Sequence, residues 1–180
     1  MLSYLDPGAL LFVPNVWHWP TQTPLPAMVG RIVDILTNDL QGAHQTFLDP
    51  NGNGKAHVER QRLYLGPKSG GCIKLTDDSE VTTGLAVAEG IETALSGMMA
   101  GYPTWALLDA GNLAAFPVLS GIESLTILAD NDENGRGREA AKSCARRWHN
   151  AGREVRIVEP ALPGTDWNDR LREASDAGRR

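Results

Sequence analysis

From Thr83 onward, short apolar runs alternate with amphipathic stretches, and this rhythm restricts the fold more than any other feature of the chain. Leu85 to Ala88, Trp105 to Leu108, Leu125 to Ala129 and Glu154 to Val158 read as strands. Helices are expected from Ile91 to about Ala100, from Arg138 to Asn150 and from Trp167 to Ala177. In the second of these, Ala141/Ala145 and Ala140/Cys144/Trp148 fall on one face and Lys142, Arg146 and Arg147 elsewhere, with Gly152 as the stop. Leu125 to Ala129 is continuously apolar, as a strand buried on both faces should be. Strands separated by helices cannot pair through tight hairpins. The expectation is an α/β fold: a mostly parallel four-stranded sheet flanked by helices.

The first eighty residues follow another pattern. Pro7, Pro14, Trp17, Trp19, Pro20, Pro24 and Pro26 suggest an irregular arm. Ala27 to Asp34 and Ala43 to Leu48 alternate as two short strands, and Asp49-Pro50-Asn51-Gly52-Asn53-Gly54 supplies turn chemistry. Cys72 to Leu75, after a glycine-rich turn, is a third strand candidate. Residues 1–80 therefore read as a Pro/Trp-rich arm with a small β-rich subdomain, and residues 81–180 as the α/β domain.

Composition removes several classes. No apolar run approaches the ~20 residues that span a bilayer, and MLSYLDPGALLFVP lacks a basic n-region and a small-residue cleavage site. Cys72 and Cys144 form no C-x-x-C pair, so a cytoplasmic protein with two free thiols is expected. The net charge of −5 conceals a pattern. Thr76 to Gly135 holds ten acidic residues and no Lys or Arg, while the flanking segments are net basic.

Several of those carboxylates sit where strands end. Ligands of open parallel sheets bind beyond the carboxyl ends of the strands. Glu89 follows LAVA, Asp130 and Asp132 follow LTILA, and Asp166 and Asp169 lie in GTDWNDRL after the fourth strand. Carboxylates gathered at one edge repel one another, and a hard divalent cation such as Mg²⁺ offsets that repulsion while holding substrate phosphates. An isolated Asp-x-Asp is usually a solvated turn; three acidic segments at topologically matched positions argue for a site.

Taken together, LAVAEGIETALS, LTILADNDENGRGREAA and GTDWNDRL resemble the Toprim domain of primases, topoisomerases and related nucleases, over about residues 83–175. The wording is most similar to the primase-like Toprim proteins of phages and plasmids, in which a segment like HQTFLDPNGNGKA…GPKSGGCIKL precedes the core. The resemblance implies a Rossmann-like Toprim fold with Glu89 as general acid/base or metal ligand. It further implies Asp130 and Asp132 as catalytic Mg²⁺ (or Mn²⁺) ligands, with Asp166 and Asp169 assisting a second metal. Two departures leave one metal or two open. Replicative bacterial primases place an Asp four residues after the glutamate, where this chain has Thr93, and their last acidic group is usually Asp-x-Asp rather than Asp166-Trp167-Asn168-Asp169.

The implied activity is DNA primase-like nucleotidyl transfer on single-stranded DNA and NTPs, with a helicase or other replication protein among the implied partners. A Toprim nuclease and a non-catalytic binding module, accessory or inhibitory, are the alternatives. Tyr4, Tyr64 and Tyr102 sit in no context that suggests a topoisomerase nucleophile. Phosphate binding needs cations, and Lys55, Arg62, Lys68, Lys74, Arg136 and Arg138 are the candidates, with Lys68 and Lys74 the expected triphosphate contacts. Arg146 and Arg147 read as a solvated helix face, and Trp17 and Trp19 as part of an arm docked on the sheet, with stacking on bases as the alternative.

Overall fold

A computed structural model of the chain describes residue 6, residues 8–130 and residues 135–159. Among the described residues, nine strands form one sheet. They are β1 (Leu10–His18), β2 (Thr23–Asp34), β3 (Leu40–Phe47), β4 (Arg62–Leu65), β5 (Gly71–Lys74), β6 (Gly84–Ala88), β7 (Thr104–Ala106), β8 (Ser124–Leu128) and β9 (Glu154–Val158). The helices are α1 (Ile91–Met99), α2 (Ala110–Ala115) and α3 (Arg136–Asn150). The expected helix Trp167 to Ala177 lies outside the described residues.

The sheet order is β4-β3-β2-β5-β7-β6-β8-β9, with β1 paired to β2 off this path. β7, β6, β8 and β9 are parallel, and these are the four strands expected from the alternating pattern. They do not form a sheet of their own. Short β5 pairs antiparallel with β2 on one side and with β7 on the other, joining the N-terminal meander to the parallel strands. From β6 the chain moves one way to β7 and then reverses to β8 on the far side. Right-handed crossovers then put the connecting helices on opposite faces. Accordingly, Ile91, Ala94 and Met98 of α1 pack on one face with Ile73, Ala86 and Ala88. Leu113, Ala140, Ala141, Cys144 and Trp148 of α2 and α3 pack on the other with Val87, Leu125 and Ile127. The approach of α1 is close enough that a Cβ on Gly97 would collide with the Leu128 side chain.

The Pro/Trp-rich segment is not an irregular arm but the hairpin β1–β2. The prolines sit where the ladder does not need them as donors. Pro14 lies at a bulge between Val13 and Val16. The Leu48 N–H donates to the Pro26 carbonyl, so Pro24 and Pro26 turn their missing N–H groups toward the β3 side, where pairing begins only at Ala27. Buried His18 fixes the hairpin end: its Nε2 meets the Arg60 carbonyl at 2.9 Å and its ring meets Phe47 edge-to-face at 4.5 Å.

Candidate active site

β6 and β8 are adjacent and parallel, with Ala88 opposite Leu128. Extending that register by one residue sets Glu89 beside Ala129, with Asp130 next beyond it. Two carboxylates thus leave neighbouring strands at the point where the connection order reverses, the usual position of a ligand crevice. Gly90 caps α1 between Glu89 and the helix, in extended backbone with no side-chain cap bond. Thr93, one turn into α1, is buried and donates its hydroxyl to Asp130 Oδ1 at 2.8 Å. The position at which bacterial primases carry an acid therefore holds a hydroxyl that orients Asp130. Nothing in the sequence pattern identified this role for Thr93.

A cleft of about 420 Å³ opens at this edge, lined by Glu89, Lys68, Asp109, Arg136 and the backbone of α2 and α3 at Gly111 and Gly137. Lys68 Nζ bonds Asp109 Oδ2 at 2.7 Å and stands 4.6 Å from the Tyr64 ring centroid. Asp109 ends the β7 connection and caps α2 by accepting from the Asn112 N–H at 2.8 Å. Burial raises the Asp109 pKa, but the Lys68 ammonium and the capping N–H groups outweigh it and hold the carboxyl below its ordinary range. Leu108, just before it, has φ 75°, and the Asp109 N–H donates to the Leu107 carbonyl across it. A non-glycine residue in that conformation carries strain, and such strain gathers at functional sites. Asp109 escaped the sequence reading because its partner lies 41 positions away and no motif announces it.

Asn112 holds the turn that carries Lys68. Its side chain is buried, accepts from the Gly70 N–H and donates to the carbonyls of Lys68 and Gly71. Lys55 and Arg62 converge on Glu92 of α1, at 2.6 and 3.0 Å. Burial alone would raise the Glu92 pKa; the two cations overcome it and hold the carboxyl at about 2. Buried His44 stands behind them, its ring edge-to-face with Tyr64 at 4.9 Å. Desolvation, helped by the Arg62 charge, pushes its pKa down to about 4.

The structure separates some of the candidates. Lys68 precedes β5 and Lys74 ends it, so the two lie at opposite edges of the sheet. Lys74 is buried, pairs with Asp78 at 2.8 Å, stands 4.3 Å from the Trp105 ring centroid and lines a different cavity, at the amino ends of the parallel strands. It is not brought to the Glu89 cleft, whose described lining contains Lys68 but not Lys74. Arg136 lines the cleft, and Arg138 makes a two-pronged pair with Glu159 at 3.1 and 3.2 Å. Asp132, Asp166 and Asp169 lie outside the described residues. Among the described residues no group of three or more His, Cys, Asp or Glu side chains could hold a metal. The pair Glu89 and Asp130 supplies oxygen donors only, the chemistry that Mg²⁺ or Mn²⁺ requires. Cys72 and Cys144 are free and buried, and burial pushes both thiols up to about 12, which keeps them protonated at neutral pH. Among the described residues no helix is long and apolar enough to cross a membrane.

A mixed α/β sheet with a glutamate and an aspartate at adjacent strand ends defines a class, and comparison with known proteins gives its name. The family model described as Toprim domain matches residues 84–177, and the chain belongs to that family. A second model, described as a domain of unknown function (DUF7146), matches residues 1–75. Among solved structures, the chain is similar to a DNA primase domain from Pseudomonas aeruginosa, with 17% identity and a TM-score of 0.55. That match covers 96% of this chain and 55% of the other. It is also similar to the Aquifex aeolicus primase (zinc binding and RNA polymerase domains), with 19% identity and a TM-score of 0.57, covering 85% of this chain and 39% of the other. At these identities the likeness is one of fold, and the chain spans about half or less of each of those structures. No curated protein matches it.

Proposed function

We propose that the protein is a Mg²⁺-dependent nucleotidyltransferase of primase type, extending a chain on single-stranded DNA from NTPs. The observation that carries this reading is the placement of Glu89 and Asp130 just beyond the carboxyl ends of adjacent parallel strands, beside a cleft lined by Glu89, Lys68 and Arg136. Membership of the Toprim domain family and the primase folds it resembles support it.

Glu89 and Asp130 are the described residues that would hold the divalent ion, joined by Asp132 and, for a second ion, by Asp166 and Asp169. When bound, the ion neutralises phosphate charge and makes a hydroxyl a better nucleophile. The chain's own groups do the rest. Thr93 keeps the Asp130 carboxylate in one orientation. Lys68, on the turn pinned by Asn112, presents its ammonium to nucleotide phosphates, exchanging part of its bond with Asp109. Arg136 and the first N–H groups of α3 face the same cleft, where a helix start favours anions.

The test is incubation of the protein with single-stranded DNA, labelled NTPs and Mg²⁺ or Mn²⁺. Extension products that fall at least a hundredfold in Glu89→Gln and in Asp130→Ala are expected. Shortened DNA instead of extended products would replace this reading by a nuclease. No turnover under either ion, with nucleic-acid binding intact in both variants, would leave a binding module.

A further inference from the structure

One face of the antiparallel meander carries a row of exposed aromatic side chains that leads toward the Glu89 cleft. Strand register identifies it. Phe12 pairs with Met28, Met28 with Thr46 and Thr46 with Arg62, so the four lie in one row on one face. Leu10, Gly30, His44 and Tyr64 form the next row on the same face, against α1 and beside Lys68. In the other direction the face continues through Lys55, bridged to Leu48, and then through Trp17, opposite Pro24. Phe12 and Trp17 are five residues apart, which plain alternation would put on opposite faces. The bulge between Val13 and Val16 restores Trp17 to the Phe12 side.

These aromatics are open. Phe12 is 67% exposed, Trp17 45% and Trp19 71%, and Trp19 meets Trp17 edge-to-face with centroids 6.1 Å apart. Exposed rings clustered on one sheet face are unusual for a surface with no ligand. Arg62 stands in the Phe12 row and Lys55 between that row and Trp17, two cations sharing the single carboxylate of Glu92 at the start of α1. The rows from Trp17 to Tyr64 span about 20 Å.

Resting on the reading of the Glu89 cleft as a nucleotidyl-transfer centre, we propose that this face seats the single-stranded nucleic acid. Bases stack on Phe12, Trp17 and Trp19, and the sugar–phosphate backbone runs past Lys55 and Arg62 to the carboxylates. Sheets with exposed aromatics bind single strands in this way because unpaired bases offer π-faces, which a duplex keeps stacked inside. A protein partner would suit the aromatics but would not account for the cations that continue to a phosphate-binding cleft.

The experiment measures binding of labelled single-stranded oligonucleotides and matching duplexes, on the order of ten nucleotides long, to the whole chain without divalent metal. Tryptophan fluorescence is followed in parallel. In Trp17→Ala/Trp19→Ala and, separately, in Phe12→Ala, single-strand affinity should fall about five- to a hundredfold, while weak duplex binding stays unchanged. Fluorescence quenching by single strands should vanish in the double variant, and Trp17→Phe/Trp19→Phe should recover much of the affinity. Circular dichroism confirms that each variant is folded. Unchanged single-strand affinity in folded Trp17→Ala/Trp19→Ala overturns the proposal. So does concentration-dependent self-association in sedimentation that the same substitutions abolish while leaving nucleic-acid affinity intact, because it assigns the face to a second copy. Failure of the catalytic reading would show instead as shortened DNA, as no turnover, or as full extension activity in Glu89→Gln, results independent of the aromatic variants.

Discussion

His44 shows how a residue beside the cleft links charge to stability. It is buried among Arg62, Glu92, Lys68 and Lys55, and its folded-state pKa is about 4 against an ordinary 6.5. The unfolded chain therefore binds the proton first as pH falls. The neutral ring contributes stability that is complete above pH 6.5 and is lost as pH falls from there toward 4, by roughly 3 kcal/mol at most. Denaturant unfolding at pH 7 and pH 4.5 should show this loss in the native chain and a much smaller one in His44→Gln. Equal losses in both would assign the pH dependence to other groups. The Glu92 carboxyl acts lower: depressed to about 2, its stabilising contribution is present above its ordinary value of 4.5 and lost as pH falls toward 2. The two windows thus meet only between about pH 4 and 4.5. At this scale the sequence revealed carboxylates at strand ends but not Thr93 or Asp109, whose importance comes from partners brought near only by folding.

Among the elements, those with strong periodicity were legible. β6, β7 and β8 follow from short apolar runs and α3 from a helical stripe of Ala, Cys and Trp, while β9, Glu-Val-Arg-Ile-Val, spans the residues expected of it. The hairpin β1–β2 was not, because proline density reads as irregular unless one knows which ladder positions face no partner. α2 was missed because Ala110–Ala115 is too short to show a period. Its first turn nevertheless organises the cleft through Asn112, which makes two bonds from its amide nitrogen and one to its oxygen. Asn112→Ala removes three hydrogen bonds from the Lys68–Gly71 turn, including the one to the carbonyl of buried Gly71, so a loss of about 1–2 kcal/mol is expected. Nucleotide affinity should fall along with it. Thermal unfolding and nucleotide titration check both effects, and a variant as stable as the parent would show that water replaces the amide at no cost.

For the molecule as a whole, the sheet crosses the boundary that composition suggested near residue 80. β5 pairs with β2 and with β7, and Ile73 of β5 packs in the same cluster as Ile91 and Ala94 of α1. The two parts share hydrogen bonds and core, so unfolding should be one cooperative transition with coincident far-UV and tryptophan signals. Two separated transitions would contradict a continuous sheet. This arrangement also explains the charge pattern. The cation-free stretch Thr76 to Gly135 supplies Glu89, Glu92, Asp109 and Asp130, and the flanking basic segments fold back over it as Lys55, Arg62, Lys68 and Arg136. A net charge of −5 therefore describes the cleft poorly, since positive groups from distant segments border its acids.

The central claim is that Glu89 and Asp130 form a divalent-metal centre. Electron paramagnetic resonance of Mn²⁺ titrated into the protein reads free ion directly and needs neither substrate nor turnover. The native chain should bind Mn²⁺ displaceably by Mg²⁺, and Glu89→Gln and Asp130→Asn should each weaken binding at least tenfold. Undiminished binding in both variants would contradict the account.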